Sequence, residues 1–419
     1  MSNGYRSLLA LSGVMLALLA IGPLCAPIAS ARTLAHGGLP IAGATYAGRT
    51  SSGERVTIRI APDGSSGSES GTLHVACAAA GGILRTADGA FTARWKRSAH
   101  VATGVFDVGT VSGHIDALSA GCTGGRFTAN LASPSGVRVS TVRYGPDALK
   151  PMPMSMPMPK SMFNMNGAMQ DFWSGGVRQP CSDCYIVGIV PNFVYPDGSV
   201  ANYNTGAMMH HIVLFNDSAR DVSCPSWPQR IMASGNERTD VTFPRGYGYY
   251  VGAGERWSLL AELMNMSMHT QHVEPQLTYY WVPASHHLRP VTPLWLDENE
   301  CGNSLYSIPK GSSDIAWRYT VPASIAGPIV SIGGHVHDYG THISLTDTTT
   351  HTLICNSRAG YGMNMAYMKN IESMSGCTGT PVATIHTGDV LSLNSFYTSP
   401  IAENDVMGIM VAYVATHHK

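Results

Sequence analysis

The chain has 419 residues, only 13% of them charged, and a formal net charge of −1. It has too little charge for a disordered polyelectrolyte and no basic field for a phosphate backbone, so nucleic acid is not an expected partner. Its 45 glycines and 25 prolines fit a turn-rich β protein rather than a helical bundle, and the length allows about two or three domains.

The chain opens with Arg6, an apolar run from Leu8 to Ile21 and the A-x-A pattern Ala29-Ser30-Ala31. Residues 1–31 read as a secretory signal peptide removed after Ala31. The alternative is an uncleaved anchor, for which the apolar run is short. The mature chain is therefore expected to be secreted or periplasmic, with no membrane span. Its removal takes Cys25 and leaves Cys77, Cys122, Cys181, Cys184, Cys224, Cys301, Cys355 and Cys377, an even set that favours disulfides. Locality pairs Cys77 with Cys122 and Cys355 with Cys377. Cys181-Ser-Asp-Cys184 reads as a structural bridge, because no βαβ pattern surrounds it as a redox C-x-x-C would require.

Residues 32–146 form the next unit. Val56-Thr-Ile-Arg-Ile60, Gly71-Thr-Leu-His-Val75 and Arg126-Phe-Thr-Ala-Asn130 alternate with Gly/Ser turns, the rhythm of a small antiparallel sandwich or barrel. This unit carries no catalytic cluster and reads as an accessory domain. Residues 147–170 change character, with Met152, Met154, Met156 and Met158 interleaved with proline and serine. Proline at that density forbids helix and sheet, so the segment reads as an extended linker. Its methionines have two readings, low-complexity drift or a thioether tract that captures Cu(I), the ion that soft sulfur selects. From Asp171 onward the pattern is all-β again, and it divides into two packed sandwiches over 171–290 and 291–419.

Two segments of this last region carry histidines that could do chemistry. In Gly333-Gly-His-Val-His337, His335 and His337 project from one strand face about 7 Å apart. Two imidazoles at that spacing can grip one metal ion; the alternative is two solvated histidines. His210-His211 is harder. Adjacent strand residues face opposite ways, so both reach one ion only if a bulge or a strong twist re-aims one of them. A third segment, Asp405-Val-Met-Gly-Ile-Met410, puts Met407 and Met410 on opposite faces, and only one can join a site with histidines. The alternative is that both are core methionines. Two imidazoles and a thioether suit Cu(I) with a position left open, whereas zinc rarely takes methionine. His286-His287 and His417-His418 fall in apparent loop and tail positions and read as solvated.

In order, a His-His pair, a His-x-His strand and a near-C-terminal methionine in an Asp-x-Met strand resemble the copper type II, ascorbate-dependent monooxygenases. Peptidylglycine hydroxylating monooxygenase and dopamine β-hydroxylase are familiar members. The stretch from Gly333 through Ile354-Cys-Asn-Ser357 to Met410 is most similar to the stress up-regulated nodulin-type proteins. The resemblance covers residues 171–419. For that stretch it implies two jelly-roll-like β-sandwich domains, each holding one copper across a solvent-filled cleft, so that with the N-terminal accessory domain the expected fold is all-β. It also implies that His335, His337 and Met407 hold the oxygen-binding copper, and that His210 and His211 hold the electron-transfer copper. Where the family has a third histidine, this chain has Met264 instead. Met266, Met268, His269 and His272 stand nearby.

The resemblance implies an exported copper- and O2-dependent monooxygenase that hydroxylates a C–H bond with a reductant such as ascorbate. The substrate, a small molecule or peptide, has no motif of its own; Glu262, Tyr339 and Tyr361 are candidates to line its cleft. The alternative is a non-catalytic secreted protein that buffers copper with the Met-rich tract and one sandwich site.

Overall fold

The computed structural model describes residues 40–61, 71–87, 90–96, 99–107, 110–133, 136–151, 168–299, 301–302, 304–361 and 370–416. The expected signal peptide, Met152, Met154, Met156, Met158 and His417-His418 lie outside them. No helix among the described residues is long and apolar enough to cross a membrane.

Short alternating segments build the N-terminal strands β1 (Thr45–Thr50), β2 (Arg55–Ile60), β3 (Gly71–Val75), β4 (Gly82–Ala87), β5 (Ala90–Arg94), β6 (Val101–Asp107), β7 (Thr110–Ile115) and β8 (Gly125–Ser133). Each pairs with the next, and β8 returns to β1, so the choice between sandwich and barrel resolves as a closed barrel. Its interior is solid. Tyr46, Phe91 and Phe106 pack edge-on at 5.5 and 5.8 Å between ring centroids, while Ile58, Leu73, Leu84 and Ile115 are fully buried around them.

Next come β9 (Arg138–Arg143), β10 (Asp147–Leu149), β11 (Ala168–Gly175), β12 (Cys184–Val194), β13 (Ala207–Arg220), β14 (Pro228–Gly235), β15 (Val241–Thr242), β16 (Tyr247–Val251), β17 (Trp257–Asn265) and β18 (Gln271–Pro283). The chain ends with β19 (Arg289–Asp297), β20 (Tyr306–Ile308), β21 (Gly311–Thr320), β22 (Gly327–Val336), β23 (Gly340–Asp347), β24 (Thr352–Tyr361), β25 (Ile371–Met374), β26 (Gly376–Ile385), β27 (Val390–Ser399), β28 (Glu403–Val406) and β29 (Gly408–Ala415).

A ten-stranded sheet, β10-β18-β12-β16-β19-β29-β22-β26 with β9 and β15 at its side, runs through both of the regions expected to be sandwiches. The four-stranded sheet β11-β17-β13-β14 and the five-stranded sheet β21-β27-β23-β24-β25 complete the architecture with the small pair β20-β28. The strand at the expected border, β19, pairs with β16 on one side and β29 on the other. The ends of the expected linker are also in sheets, β10 on β18 and β11 on β17.

The eight residues of β29 are all buried because each face lies in a different core. Ile409, Val411, Tyr413 and Ala415 face the core of the first region, and Met410, Ala412 and Val414 face that of the second. The expected bridges Cys77–Cys122 and Cys355–Cys377 are formed, as are Cys181–Cys184 and Cys224–Cys301.

Near the last of these, a buried ion pair ties the loop after β13 to β14 and β19. The Arg230 guanidinium donates to Asp221 through Nε at 2.9 Å and Nη2 at 2.8 Å, and it lies 4.6 Å above the Trp295 ring. Burial pushes the Asp221 carboxyl up, but the hydrogen bonds and charge of Arg230 outweigh it and hold the carboxyl below its ordinary range. Asp221→Ala removes the carboxylate nearest the buried guanidinium, with Asp297 3.9 Å away, and is expected to cost about 3 kcal/mol. A depressed carboxylate contributes stability that is full above its unfolded pKa of about 4 and is lost as pH falls through its folded value. Urea midpoints of wild type and Asp221→Ala should therefore differ by a constant amount above about pH 5 and converge below about pH 4.

Candidate metal centre

The register of β13 against β17 shifts between Met209 and His211, so His210 is the extra residue of a β-bulge. The bulge meets the geometric condition that adjacent histidines need. Both imidazoles lie on the face that carries Glu262, whose Oε2 is 3.3 Å from His210 Nδ1 and 2.9 Å from His211 Nε2. Their rings are 4.6 Å apart.

The other pair comes from the end of β22. His335 is in register with Ile409 of β29, and the His337 N–H donates to the Met407 carbonyl at 3.3 Å. Both side chains face the first core because Gly334, between them, faces the second. A Cβ on Gly334 would come 2.6 Å from Ile343 Cγ2, so no larger residue fits there without movement.

The resemblance implies two sites across a solvent-filled cleft. The structure instead packs both pairs into one buried cluster. Ring centroids are 5.0 Å apart for His210–His337, 5.4 Å for His335–His337 and 6.2 Å for His211–His335. The bulge turns His210 toward β22, and Gly235 at the end of β14 lets the strands close. A Cβ on Gly235 would sit 2.6 Å from the His210 carbonyl and 3.2 Å from His335 Cε1. His210, His211 and His337 offer ring nitrogens that all lie within 4.8 Å of one another.

Hydrogen bonds at the outer nitrogens fix which lone pairs point inward. His337 Nδ1 is 2.7 Å from the Asp405 carbonyl, which only accepts, so Nδ1 carries the proton and Nε2 the lone pair. His335 Nδ1 donates to Glu237 Oε1 at 2.9 Å. His335 Nε2, His337 Nε2 and His211 Nδ1 are then buried with no hydrogen-bond partner, while His211 Nε2 faces Glu262 at 2.9 Å. Buried polar atoms are rarely left so, and a ring of partnerless imidazole nitrogens is a donor set for a borderline or soft metal ion.

The charges agree with that reading. Burial pushes His210 down to about 4 despite the Glu262 contact, and burial beside the other imidazoles holds His337 far below its usual value. Burial alone would raise Glu262, but the two imidazoles it touches hold it below the carboxylate range. For His335, burial is outweighed by the Glu237 carboxylate, so its pKa is raised.

The methionines divide by face. Met407 is held opposite His337 and is buried with Ile409 on the first-core side, while Met410 is in the second core. Met264 is opposite Met208 in the row next to Glu262, and Met208 lines a small cavity with His210, His335 and His337. His269, His272, His286 and His287 are exposed. Tyr339 and Tyr361 line neither this cavity nor the larger one beside it.

Glu237 escaped the sequence reading because it belongs to no motif. Its only signal is a run of polar residues, Asn236, Glu237 and Arg238, all of them buried, and burial is not visible in composition. A cavity of about 620 Å³ opens beside it, with Glu237 and His335 at one end. Ser331 and Gly333 of β22 and Val411 and Tyr413 of β29 form one wall, and Thr86 of the barrel contributes to another.

No model of a known protein family matches the chain. The chain is 28% identical over 264 residues to the Probable copper-dependent oxygenase M1 of Phoma sp., a match covering 57% of this chain and 65% of that protein. It is 29% identical over 249 residues to the Probable copper-dependent oxygenase clz3 of Cochliobolus lunatus, covering 53% of this chain and 77% of that protein. The match thus spans just under two thirds of the length of the Phoma relative. Among solved structures, the crystal structure of PBCV-1 VP54 fitted into a cryo-EM reconstruction of the virophage Sputnik has a TM-score of 0.26 and 7% identity, over 67% of this chain and 94% of that one. Over more than half of its length, the chain is similar to proteins named as copper-dependent oxygenases.

Proposed function

We propose that this chain is an exported copper-dependent oxygenase that inserts oxygen into a C–H bond of an organic substrate with a reductant such as ascorbate. His210, His211 and His337 would hold the copper, with Met407 beside His337 and His335 facing the substrate cavity. The observation that carries the reading is the buried cluster of partnerless imidazole nitrogens opening on a cavity of about 620 Å³. The names of the similar proteins point the same way. Nitrogen donors with thioethers nearby favour copper over zinc, and the site lacks the oxygen-rich lining that magnesium or calcium takes. The disulfides fit an oxidising compartment.

Copper, when bound, supplies one-electron chemistry between its two oxidation states for the activation of O2. The protein's own groups prepare the place for it. The Asp405 carbonyl and the Glu237 carboxylate hold the protons of His337 and His335 on the outer nitrogens, which fixes ring orientation. Glu262, on the neighbouring strand β17 of the same sheet, sets His210 at Nδ1 and His211 at Nε2. Ile409, Val411 and Tyr413 give one side of the cavity an apolar wall against which a substrate could pack. Copper storage needs no such cavity, which favours the oxygenase over the buffering reading.

Purified protein is expected to bind about one copper per chain, and His337→Ala to lose it while remaining folded. Glu262→Gln, at the carboxylate that touches His210 and His211, should keep copper but weaken its affinity about 10- to 100-fold. Copper-loaded wild type should consume O2 when ascorbate is added, and His337→Ala should not. Metal analysis with an oxygen electrode checks these outcomes. Wild type that binds no copper, or binds it without reductant-dependent O2 uptake, would overturn the oxygenase reading.

A further inference from the structure

We propose that Met169, Met264 and Met208 form a thioether relay that carries Cu(I) from the protein surface into the histidine cluster, an inference that rests on the copper reading above. The three are directly opposite one another on adjacent strands: Met169 of β11 is in register with Met264 of β17, and Met264 with Met208 of β13. Side chains opposite each other across paired strands share a face, with Cβ atoms about 5 Å apart. The next row on that face is Asp171–Glu262–His211, so the methionine row runs beside the row that carries the histidines.

Met169 at the sheet edge is 42% exposed, whereas Met264 and Met208 are buried at 0% and 5%. At its inner end, Met208 lines the same small cavity as His210, His335 and His337. The row therefore joins solvent to the cluster in steps of about 5 Å, a span that one thioether can hand to the next. Apolar packing accounts for the burial of Met264 and Met208, and Met169 adds a solvent-accessible thioether at the outer end of the same row. Met410, buried in the second core away from the cluster, is what a packing methionine looks like in this chain.

The chemistry balances without an oxidant or reductant. Copper stays Cu(I) at every step; one Cu–S bond forms as the previous one breaks, and the last exchange replaces sulfur with imidazole nitrogen. Thioethers hold Cu(I) and discriminate against the harder Cu(II), so the relay serves only the reduced ion.

The test uses the full-length apo protein under anaerobic conditions. Cu(I) is supplied as its acetonitrile complex, and uptake is followed by the loss of colour of a chromogenic Cu(I) chelator. Met264→Leu and Met169→Leu conserve volume and should cost less than about 1.5 kcal/mol each, with Met410→Leu as the control off the path. Both row variants are expected to take up Cu(I) about tenfold more slowly than wild type. Their final copper content and their rate of Cu(II) uptake should match wild type, as should all properties of Met410→Leu. Unchanged Cu(I) rates in the row variants would overturn the relay. So would equal slowing of Cu(I) and Cu(II), which marks a packing defect, or a lower final copper content, which marks resident ligands. Wild type that retains neither ion would fail the copper reading itself and the relay with it, whereas a loaded wild type with unaltered variant rates fails the relay alone.

Discussion

The burial of β29 on both faces is the constraint on which the rest of the molecule depends. A strand with one core on each side must be apolar at every position, and Gly408–Ala415 is. Because successive side chains alternate, the strand assigns its neighbour β22 two faces as well: Ile332 and Val336 belong to the second core, while Ser331, Gly333 and His335 line the cavity. A slip of one residue in the β22–β29 register would put both imidazoles into the second core and the isoleucine and valine into the cavity. Histidine position is thus enforced by several apolar contacts rather than by anything within the site.

On the facing sheet the solution is different, because two adjacent residues must serve one place. A regular strand would bury one of His210 and His211 in the core behind it. The bulge costs a ladder position and returns both rings to the same carboxylate. Carboxylates then collar the cluster from outside, Glu262 on one side and Glu237 on the other, so negative charge lies behind the imidazoles rather than among them. The centre of the cluster keeps lone pairs and little charge of its own.

The sequence made the all-β class legible through alternation and turn spacing, and it made His335 and His337 legible because a period of two governs an undistorted strand. It stated the condition for His210 and His211 but could not meet it, since no residue type announces a bulge. The closeness of the two pairs was hidden for a related reason. It depends on Gly235, where the absence of a Cβ permits contact with His335, and on a sheet-to-sheet packing between residues about a hundred positions apart. Pairing by locality found Cys77–Cys122 and Cys355–Cys377 and left Cys224–Cys301 open, because its two cysteines are 77 residues apart with many strands between them.

The barrel shows most clearly how packing rather than motif gives a domain its role. Nothing in its sequence resembles a site, and aromatic and aliphatic side chains pack its interior. Yet its core continues into Val190 of β12 and Tyr280 of β18, so it docks on the outer face of the ten-stranded sheet through apolar contact, not through a tether. β18 is consequently buried on two faces, as β29 is, with Leu277 and Tyr279 in one core and Tyr280 in another. A barrel fixed in that way has fixed edges, and the β4 residue Thr86 is held at the wall of the cavity that ends on His335. The accessory domain therefore bounds the space beside the histidine cluster, and the shape of that space is set jointly by all three cores.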